Sequence, residues 1–274
     1  MSTTAAPPAT GTEVAPGYTV LRKVADSGTF VVYEVWSEER HCRCVAKVVA
    51  PERRHDGKTR RRLVAEGELL LRLAHPHIVR AYELHEEPET VLILEALPGM
   101  TLEYWLSELE QLELGDLVLL GEQVCSAIAY LHEHGVLHLD LKPGNLLCSY
   151  GVVRTIDLSL ARPPGRGHRG AGTHVYLAPE QALGEMVTAA TDAWGIGAVL
   201  WEAAAGRRPF ERPEDPSAYE QLQRRAEPVG WYREVPPDLE AVIDGCLEPL
   251  PAARPSIAEI WAVVDSLRPQ EARK

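Results

Sequence analysis

The sequence predicts an α+β chain of two lobes: a small strand-rich lobe carrying one helix, then a larger, mainly helical one. Three observations point there. Short β-branched or aromatic runs fill residues 18 to 95, separated by turn-prone or charged stretches. After Pro98-Gly99 the apolar period switches to that of a helix and mostly stays there. With 274 residues at 45% hydrophobic content, the chain can bury a sizeable core as one domain or as two lobes.

The elements follow in order. Residues 1–17 are Ala, Pro, Thr and Gly with a single acid, too poor in large apolar groups to pack, and read as a disordered N-terminal tail. Tyr18-Thr19-Val20-Leu21, Phe30 to Trp36 and Cys44 to Val49 read as strands. Arg60 to Leu73 reads as a helix with Leu63, Leu70 and Leu73 on one stripe. Val79 to Leu84 and Val91 to Glu95 fit two further strands, split by the turn Glu86-Glu87-Pro88-Glu89. This makes a five-stranded small lobe over 18–95, a hinge at 95–99, and a helical lobe over 100–268, with 269–274 as a C-terminal tail. In the helical lobe Leu117, Leu120, Val124, Ile128 and Leu131 follow the i, i+3, i+4 rule and stop at Gly135. Thr191 to Ala205, Leu239 to Cys246 and Ile257 to Leu267 read as further helices, the last opening on a capping box of Ser256 and Glu259. No internal repeat is apparent, and Pro213 to Pro216 and Pro236-Pro237 read as helix-linking loops.

Composition excludes several function classes. Lys plus Arg number 28 against 40 Asp plus Glu, a formal net charge of −12. That argues against duplex nucleic acid or an anionic membrane as the main partner. Cys42, Cys44, Cys125, Cys148 and Cys246 are an odd five without a CxxC pair, which suits a reducing interior. Cys42 and Cys44 share one strand face and read as packing residues rather than metal ligands. No charged start or apolar run opens the chain. Its most apolar long segment, Ala193 to Ala205, contains Glu202 and is too short to span a bilayer. The expectation is a cytoplasmic chain with no nucleic-acid partner and no membrane span. The pairs His75/His77 and His132/His134 read as packed or solvated histidines. The basic run Arg53, Arg54, Lys58, Arg60, Arg61 and Arg62 reads as a solvated face, with a docking patch for an acidic partner as the other reading.

The chemistry starts from a local anomaly. Glu66 lies on the stripe of Leu63, Leu70 and Leu73, so its carboxylate faces packed surface, where an unpaired charge is costly. Lys47, alone among the apolar residues of Cys44 to Val49, is the natural partner; independent snorkelling of both side chains to solvent is the alternative. Further on, His138-Leu139-Asp140-Leu141-Lys142-Pro143-Gly144-Asn145 gathers an acid, a base and an amide just after a helix, and Thr155-Ile156-Asp157 ends a short apolar run. Asp140 can accept a hydroxyl proton and Lys142 can neutralise a migrating phosphoryl group. Asn145 with Asp157 can hold Mg²⁺ through hard oxygen ligands.

At these residues the sequence resembles the eukaryotic-type protein kinase family, in its bacterial-looking serine/threonine branch, from Tyr18 to about Leu267. HLDLKPGN matches the catalytic loop, Asp157-Leu158-Ser159 the metal-binding DFG position, and Gly172-Thr173 through Ala178-Pro179-Glu180 the end of the activation segment. Thr191-Asp192-Ala193-Trp194-Gly195 through Phe210 looks like the central helix of the large lobe, and Arg254 falls where the family pairs an arginine with the glutamate here at Glu180. The resemblance implies a two-lobed protein-kinase fold with the nucleotide between the lobes. It implies that Lys47 grips the α/β-phosphates and that Glu66 orients it. Asp140 would be the catalytic base, Lys142 the phosphate neutraliser, and Asn145 and Asp157 the ligands of Mg²⁺ or Mn²⁺. Leu94 would be the gatekeeper, Glu95 to Leu97 would offer backbone groups to adenine, and Leu147 would close the adenine pocket from below.

The departures matter as much. The family's glycine loop GxGxxGxV falls on Ala25-Asp26-Ser27-Gly28-Thr29-Phe30-Val31-Val32, where none of the three glycine positions holds glycine. A missing Cβ there lets backbone N–H groups close over phosphate. Ala25 and Ser27 are tolerable, and the Ser27 hydroxyl could donate to phosphate; Phe30 is harder to accommodate. Val45 stands where the family usually packs Ala on adenine, which narrows the slot. Both changes predict weakened nucleotide binding. Leu139 replaces the arginine that reads an activation-loop phosphate, and between Asp157 and Glu180 the only hydroxyl side chains are Ser159, Thr173 and Tyr176. The expectation is an ATP- and Mg²⁺-dependent kinase acting on serine or threonine of protein substrates, not switched by activation-loop phosphorylation. Since the chain stops at Lys274, a separate regulatory partner is expected to carry any input. The alternative is a pseudokinase that signals by conformation or docking. Ala178-Pro179-Glu180 and Arg254 disfavour a small-molecule phosphotransferase.

Overall fold

A computed structural model describes residues 8–215 and 217–268 and divides the chain after Pro98. The first unit contains β1 (Glu13–Ala15), β2 (Tyr18–Asp26), β3 (Phe30–Ser37), β4 (Cys42–Val49), α1 (Gly57–Leu70), β5 (Ala81–His85) and β6 (Val91–Glu95). The strands form one six-stranded antiparallel sheet in the order β1-β2-β3-β4-β6-β5. Successive side chains on a strand point to opposite faces, and the register pairs Val31 with Val48, Tyr33 with Ala46 and Val35 with Cys44. That face is buried together with Tyr18, Val20 and Ile93 in one core cluster. The opposite face carries Val32 across from Lys47, Lys47 across from Leu92, and Val45 across from Leu94. Helix α1 packs on this second face. Gly67 makes the close approach possible, since a Cβ there would press on Leu84 and Leu92. The helix starts three residues before the expected Arg60 because Asp56 caps it, accepting from the Lys58 amide at 2.9 Å.

Strand β1 corrects the expectation of a disordered tail over 1–17 and of a five-stranded sheet. Gly11 N donates to Val20 O and Val20 N to Thr12 O, each at 2.8 Å, and Ala15 is buried. A segment poor in apolar side chains is ordered because its backbone completes a sheet edge. Residues 1–7, and the C-terminal tail at 269–274, lie outside the described residues. A second correction concerns Cys42: Cys44 is buried as expected, but Cys42, at the strand's first position, is exposed. Of the basic run, Arg53, Lys58 and Arg61 are exposed as expected, but Arg54 and Arg60 are engaged. Arg60 donates to Thr90 Oγ1, Glu86 O and Glu87 Oε1 at 3.0, 2.9 and 2.8 Å, clamping the β5–β6 turn, and Arg54 pairs with Glu89 at 3.5 Å.

The second unit contains β7 (Met100–Thr101), α2 (Leu102–Glu108), α3 (Leu114–Glu133), β8 (Leu146–Ser149), β9 (Val152–Thr155), β10 (Gly165–Arg166), α4 (Pro179–Leu183), β11 (Met186–Val187), α5 (Ala189–Ala205), α6 (Pro237–Cys246) and α7 (Ile257–Ser266). The expected stripe on α3, from Leu117 to Leu131, is buried, and the helix packs on α5 and α7. Helix α5 is apolar nearly all round and correspondingly central; its Trp194 ring stacks on Phe210 at 5.5 Å between centroids. Among the described residues α3, rather than the Ala193–Ala205 segment, has the length and composition to cross a membrane, and 56% of that window is buried within the fold. Pro237 is not loop but the first residue of α6, where a missing amide hydrogen is harmless. Ser256 and Glu259 form the capping box at the start of α7. Arg254 holds Glu180 by two bonds of 2.7 and 2.8 Å, both side chains buried. Removing one partner from such a pair costs about 3–5 kcal/mol.

Candidate functional site

In the first unit, placing Lys47 on the α1 face of β4 puts its ammonium beside Glu66. Lys47 Nζ donates to both Glu66 oxygens at 2.8 Å, with side-chain exposures of 6% and 0%. The local anomaly in the sequence thus resolves as a buried ion pair, not as two snorkelling chains. Leu94 is buried across from Val45, which is half-buried on the Lys47 face. Glu95 Oε1 accepts from Arg80 N at 2.8 Å, and Leu97 is half-buried one residue before the division.

The loop between β2 and β3 is closed on itself. Ser27 Oγ donates to Phe30 O at 3.1 Å and accepts from Phe30 N at 3.0 Å, while Gly28 N donates to Asp26 Oδ1 at 3.0 Å. Gly28 has φ +69, the left-handed conformation that favours glycine. Arg53 Nε donates to Gly28 O at 3.0 Å and ties the loop tip to the residues following β4. Ser27, expected to reach for phosphate, satisfies backbone groups of its own loop. Ala25 is exposed across from Val32. Phe30 is 5% exposed, with Lys47 Nζ 4.8 Å and Arg62 Cζ 5.8 Å from its ring centroid.

In the second unit, the loop before β8 assembles the other set. Asp140 Oδ1 accepts from the Thr173 amide and hydroxyl, both at 2.8 Å, and Lys142 Nζ donates to that same hydroxyl at 2.8 Å. Lys142 Nζ lies 3.6 Å from Asp140 Oδ2. Asn145 Nδ2 donates to Asp140 O at 2.8 Å and to Asp140 Oδ2 at 3.2 Å, so the donor atom Asn145 can offer a cation is its amide oxygen. Ile156 N donates to Asn145 O at 3.0 Å, which fixes Asn145 against the residue preceding Asp157, whose Oδ1 accepts from Ser159 N at 2.8 Å. The pair of hard oxygen side chains suits a small divalent cation completed by phosphate and water. Among the described residues no three His, Cys, Asp or Glu side chains gather as a metal cage. Leu147 is half-buried on β8, across from Thr101.

Sequence reasoning missed what holds this loop. Leu139 has φ +65, an uncommon conformation for a side chain with Cβ. The buried Asp192 sustains it, accepting from the amides of His138 and Leu139 at 2.9 and 2.8 Å and contacting His132 Nε2 at 2.8 Å. The available signal was Asp192, the one acid in the first turn of a largely apolar helix. His132 is thereby part of a polar network. The Leu139 side chain, where the family places arginine, is buried with Leu137 and Val187.

A buried ammonium–carboxylate pair on the strand-rich unit and a half-buried cluster of ammonium, carboxylate and amide on the helical unit define the class. The chain belongs to the protein kinase domain family, whose model matches residues 18–263. It is similar to serine/threonine-protein kinase PkaA of Streptomyces coelicolor, at 37% identity over 77% of this chain and 40% of that protein. Serine/threonine-protein kinase PrkC of Bacillus subtilis is 29% identical over 85% of this chain and 37% of its own length. The chain thus spans about two-fifths of the length of these two relatives. In fold it is similar to the PknI kinase domain of Mycobacterium tuberculosis, with a TM-score of 0.75 at 24% identity over 94% of this chain and 98% of that one.

Proposed function

We propose that this chain is a serine/threonine protein kinase whose catalytic domain spans residues 18–268, using ATP and a divalent cation, Mg²⁺ or Mn²⁺. The observation that carries the reading is the cluster in which Thr173 bonds both Asp140 and Lys142 and Asn145 bonds Asp140. Asp140 has its Oδ1 engaged by Thr173 and keeps lone-pair capacity on Oδ2, so it can take the proton of an incoming serine or threonine hydroxyl. Lys142, held beside it by the Thr173 hydroxyl, lowers the cost of negative charge building where the hydroxyl attacks. Lys47, aimed by Glu66, is the cation for the nucleotide phosphates. Asn145 and Asp157 supply the oxygen ligands. ATP would provide the transferable phosphoryl group, and a divalent cation held by Asn145 and Asp157 would shield its charge. Val32, Val45, Leu94, Glu95, Leu97 and Leu147 are the proposed adenine contacts, with Ala25 and Ser27 at the loop.

Activation-loop phosphorylation is not the proposed switch. Leu139 packs against Leu137 and Val187 and offers no cation to a phosphate. The segment after Asp157 is tied in by other means: Leu137 bridges Arg162, β10 pairs with β11, and Gly170 N donates to Gln181 O at 2.9 Å.

Transfer of radiolabelled phosphate to the chain itself and to a generic basic protein tests the reading. Asp140→Asn should lower transfer by about 10²–10⁴-fold, and Lys47→Met should also abolish measurable signal. No transfer from the unaltered chain at any ATP, Mg²⁺ or Mn²⁺ concentration would replace the kinase reading by the pseudokinase one, and transfer undiminished in Asp140→Asn would remove Asp140 as the base.

A further inference from the structure

The pleat of the small sheet sets one aromatic ring against the phosphate-binding lysine. Val32 lies directly across from Lys47, so the two share a face, and Phe30, two residues before Val32, shares it too. Phe30 is therefore the diagonal neighbour of Lys47, within reach of a long side chain. The ring uses that reach. Its centroid is 4.8 Å from Lys47 Nζ, which also donates to Glu66, and 5.8 Å from Arg62 Cζ one helical turn before Glu66. Phe30 and Lys47 are each 5% exposed. An ammonium taken out of water is compensated here by a carboxylate and by the negative face of an aromatic ring.

The loop that carries Phe30 is held in the same closed arrangement. The Ser27 hydroxyl accepts from Phe30 N at 3.0 Å and from Thr29 N at 3.3 Å, and Asp26 takes Gly28 N at 3.0 Å. Ala50 N donates to Thr29 O at 2.9 Å and Arg53 Nε to Gly28 O at 3.0 Å. Three amides that would face phosphate in a glycine-built loop thus have partners already, and the ring covers the cation beneath them.

We propose that Phe30 is a gate that sets nucleotide affinity: its ring covers Lys47 and must swing away before a phosphate oxygen reaches the ammonium. The proposal rests on the reading that Lys47 grips nucleotide phosphate. A phosphate oxygen bonds an ammonium at about 2.7–2.9 Å, closer than the ring that now faces it, so ring and phosphate exclude each other on that side. The closed population then acts as a tax on apparent affinity, equal to the inverse of the open fraction.

Calorimetric titration of a non-hydrolysable ATP analogue with Mg²⁺ tests this on the full chain, alongside Phe30→Gly and Phe30→Leu, with thermal unfolding to confirm the fold of each. Phe30→Gly should bind about tenfold more tightly, the change expected if the closed form outnumbers the open one by about ten to one. Phe30→Leu keeps apolar bulk but loses the aromatic face, and should gain a smaller part of that factor. Equal or weaker binding in both, or no binding by any of the three, overturns the gate. Should Phe30→Gly fail to fold, Phe30→Leu decides alone, tighter binding supporting the gate and unchanged or weaker binding rejecting it. Phosphoryl transfer is measured separately. A tighter analogue with no transfer sinks the kinase reading and leaves the gate, whereas transfer with unaltered affinity does the reverse.

Discussion

His138 is 1% exposed, yet three carboxylates, Asp192, Asp140 and Asp157, pull its proton affinity upward. Burial outweighs them and holds the imidazole below its usual pKa, so it is neutral at pH 7. Its Nδ1 accepts from Asp140 N at 3.2 Å, which assigns the proton to Nε2. A base with a depressed folded pKa takes up more protons when unfolded. Its contribution to stability is therefore whole above the unfolded value of about 6.5 and is lost as pH falls below it. Urea unfolding between pH 7 and 5 should show stability falling with pH, and His138→Gln should make that slope shallower by up to about 1.4 kcal/mol per pH unit. An identical slope in the variant would assign the loss elsewhere, with His75, also depressed by burial, next in line. At this scale the sequence was most legible where burial and charge conflict. Glu66 on an apolar stripe demands Lys47, and the buried Glu180 is answered by Arg254. It was least legible where one side chain chooses among several partners. Neither the inward turn of the Ser27 hydroxyl nor the Phe30 ring over Lys47 follows from residue type alone.

Elements were readable in proportion to how much of their stability is local. Val91 to Glu95 forms the strand expected of it, and α3 keeps its apolar stripe. β1 escaped notice because a three-residue strand owes its existence to the partner strand, which no local pattern announces. Helix α5 ends at Gly206, whose φ of +70 closes a left-handed cap with its amide donating to Glu202 O at 2.8 Å. A Cβ there would overlap the Glu110 carbonyl oxygen, a backbone atom that cannot turn aside. Gly135, after α3, has the similar φ of +72 but open space around it. Gly135→Ala should cost about 1–2 kcal/mol for the backbone conformation alone. Gly206→Ala should cost that and at least about 2 kcal/mol more for the displaced backbone. Urea denaturation of the two variants compares them directly, and equal losses would mean that the α2–α3 connection yields freely.

Across the whole chain the five cysteines are all free, but their exposures divide them. Burial pushes Cys44 and Cys148 up to about 11 and Cys125 to about 12, and raises Cys246 as well. Cys42 is the exposed one. A thiol-reactive dye at pH 8 should label one cysteine rapidly in the native chain and five in denaturant, with Cys42→Ser removing the rapid phase. Two rapid thiols would show that a buried cysteine opens to solvent. The main strands and the long helices, the division near Pro98 and the Lys47–Glu66 pair were legible, because each is written as a periodicity or as a charge out of place, whereas short elements such as α2, α4 and the two-residue strands were not. The exact rim of the sheet was not, and it bears on how the chain should be handled. The family match begins at Tyr18, while β1 runs from Glu13 and Gly11 and Thr12 already bond Val20. A fragment trimmed to the match would bare the hydrogen-bonding margin of β2, the kind of raw selvedge along which copies of a protein stitch themselves into aggregates. Keeping the residues from Gly11 onward leaves that margin hemmed.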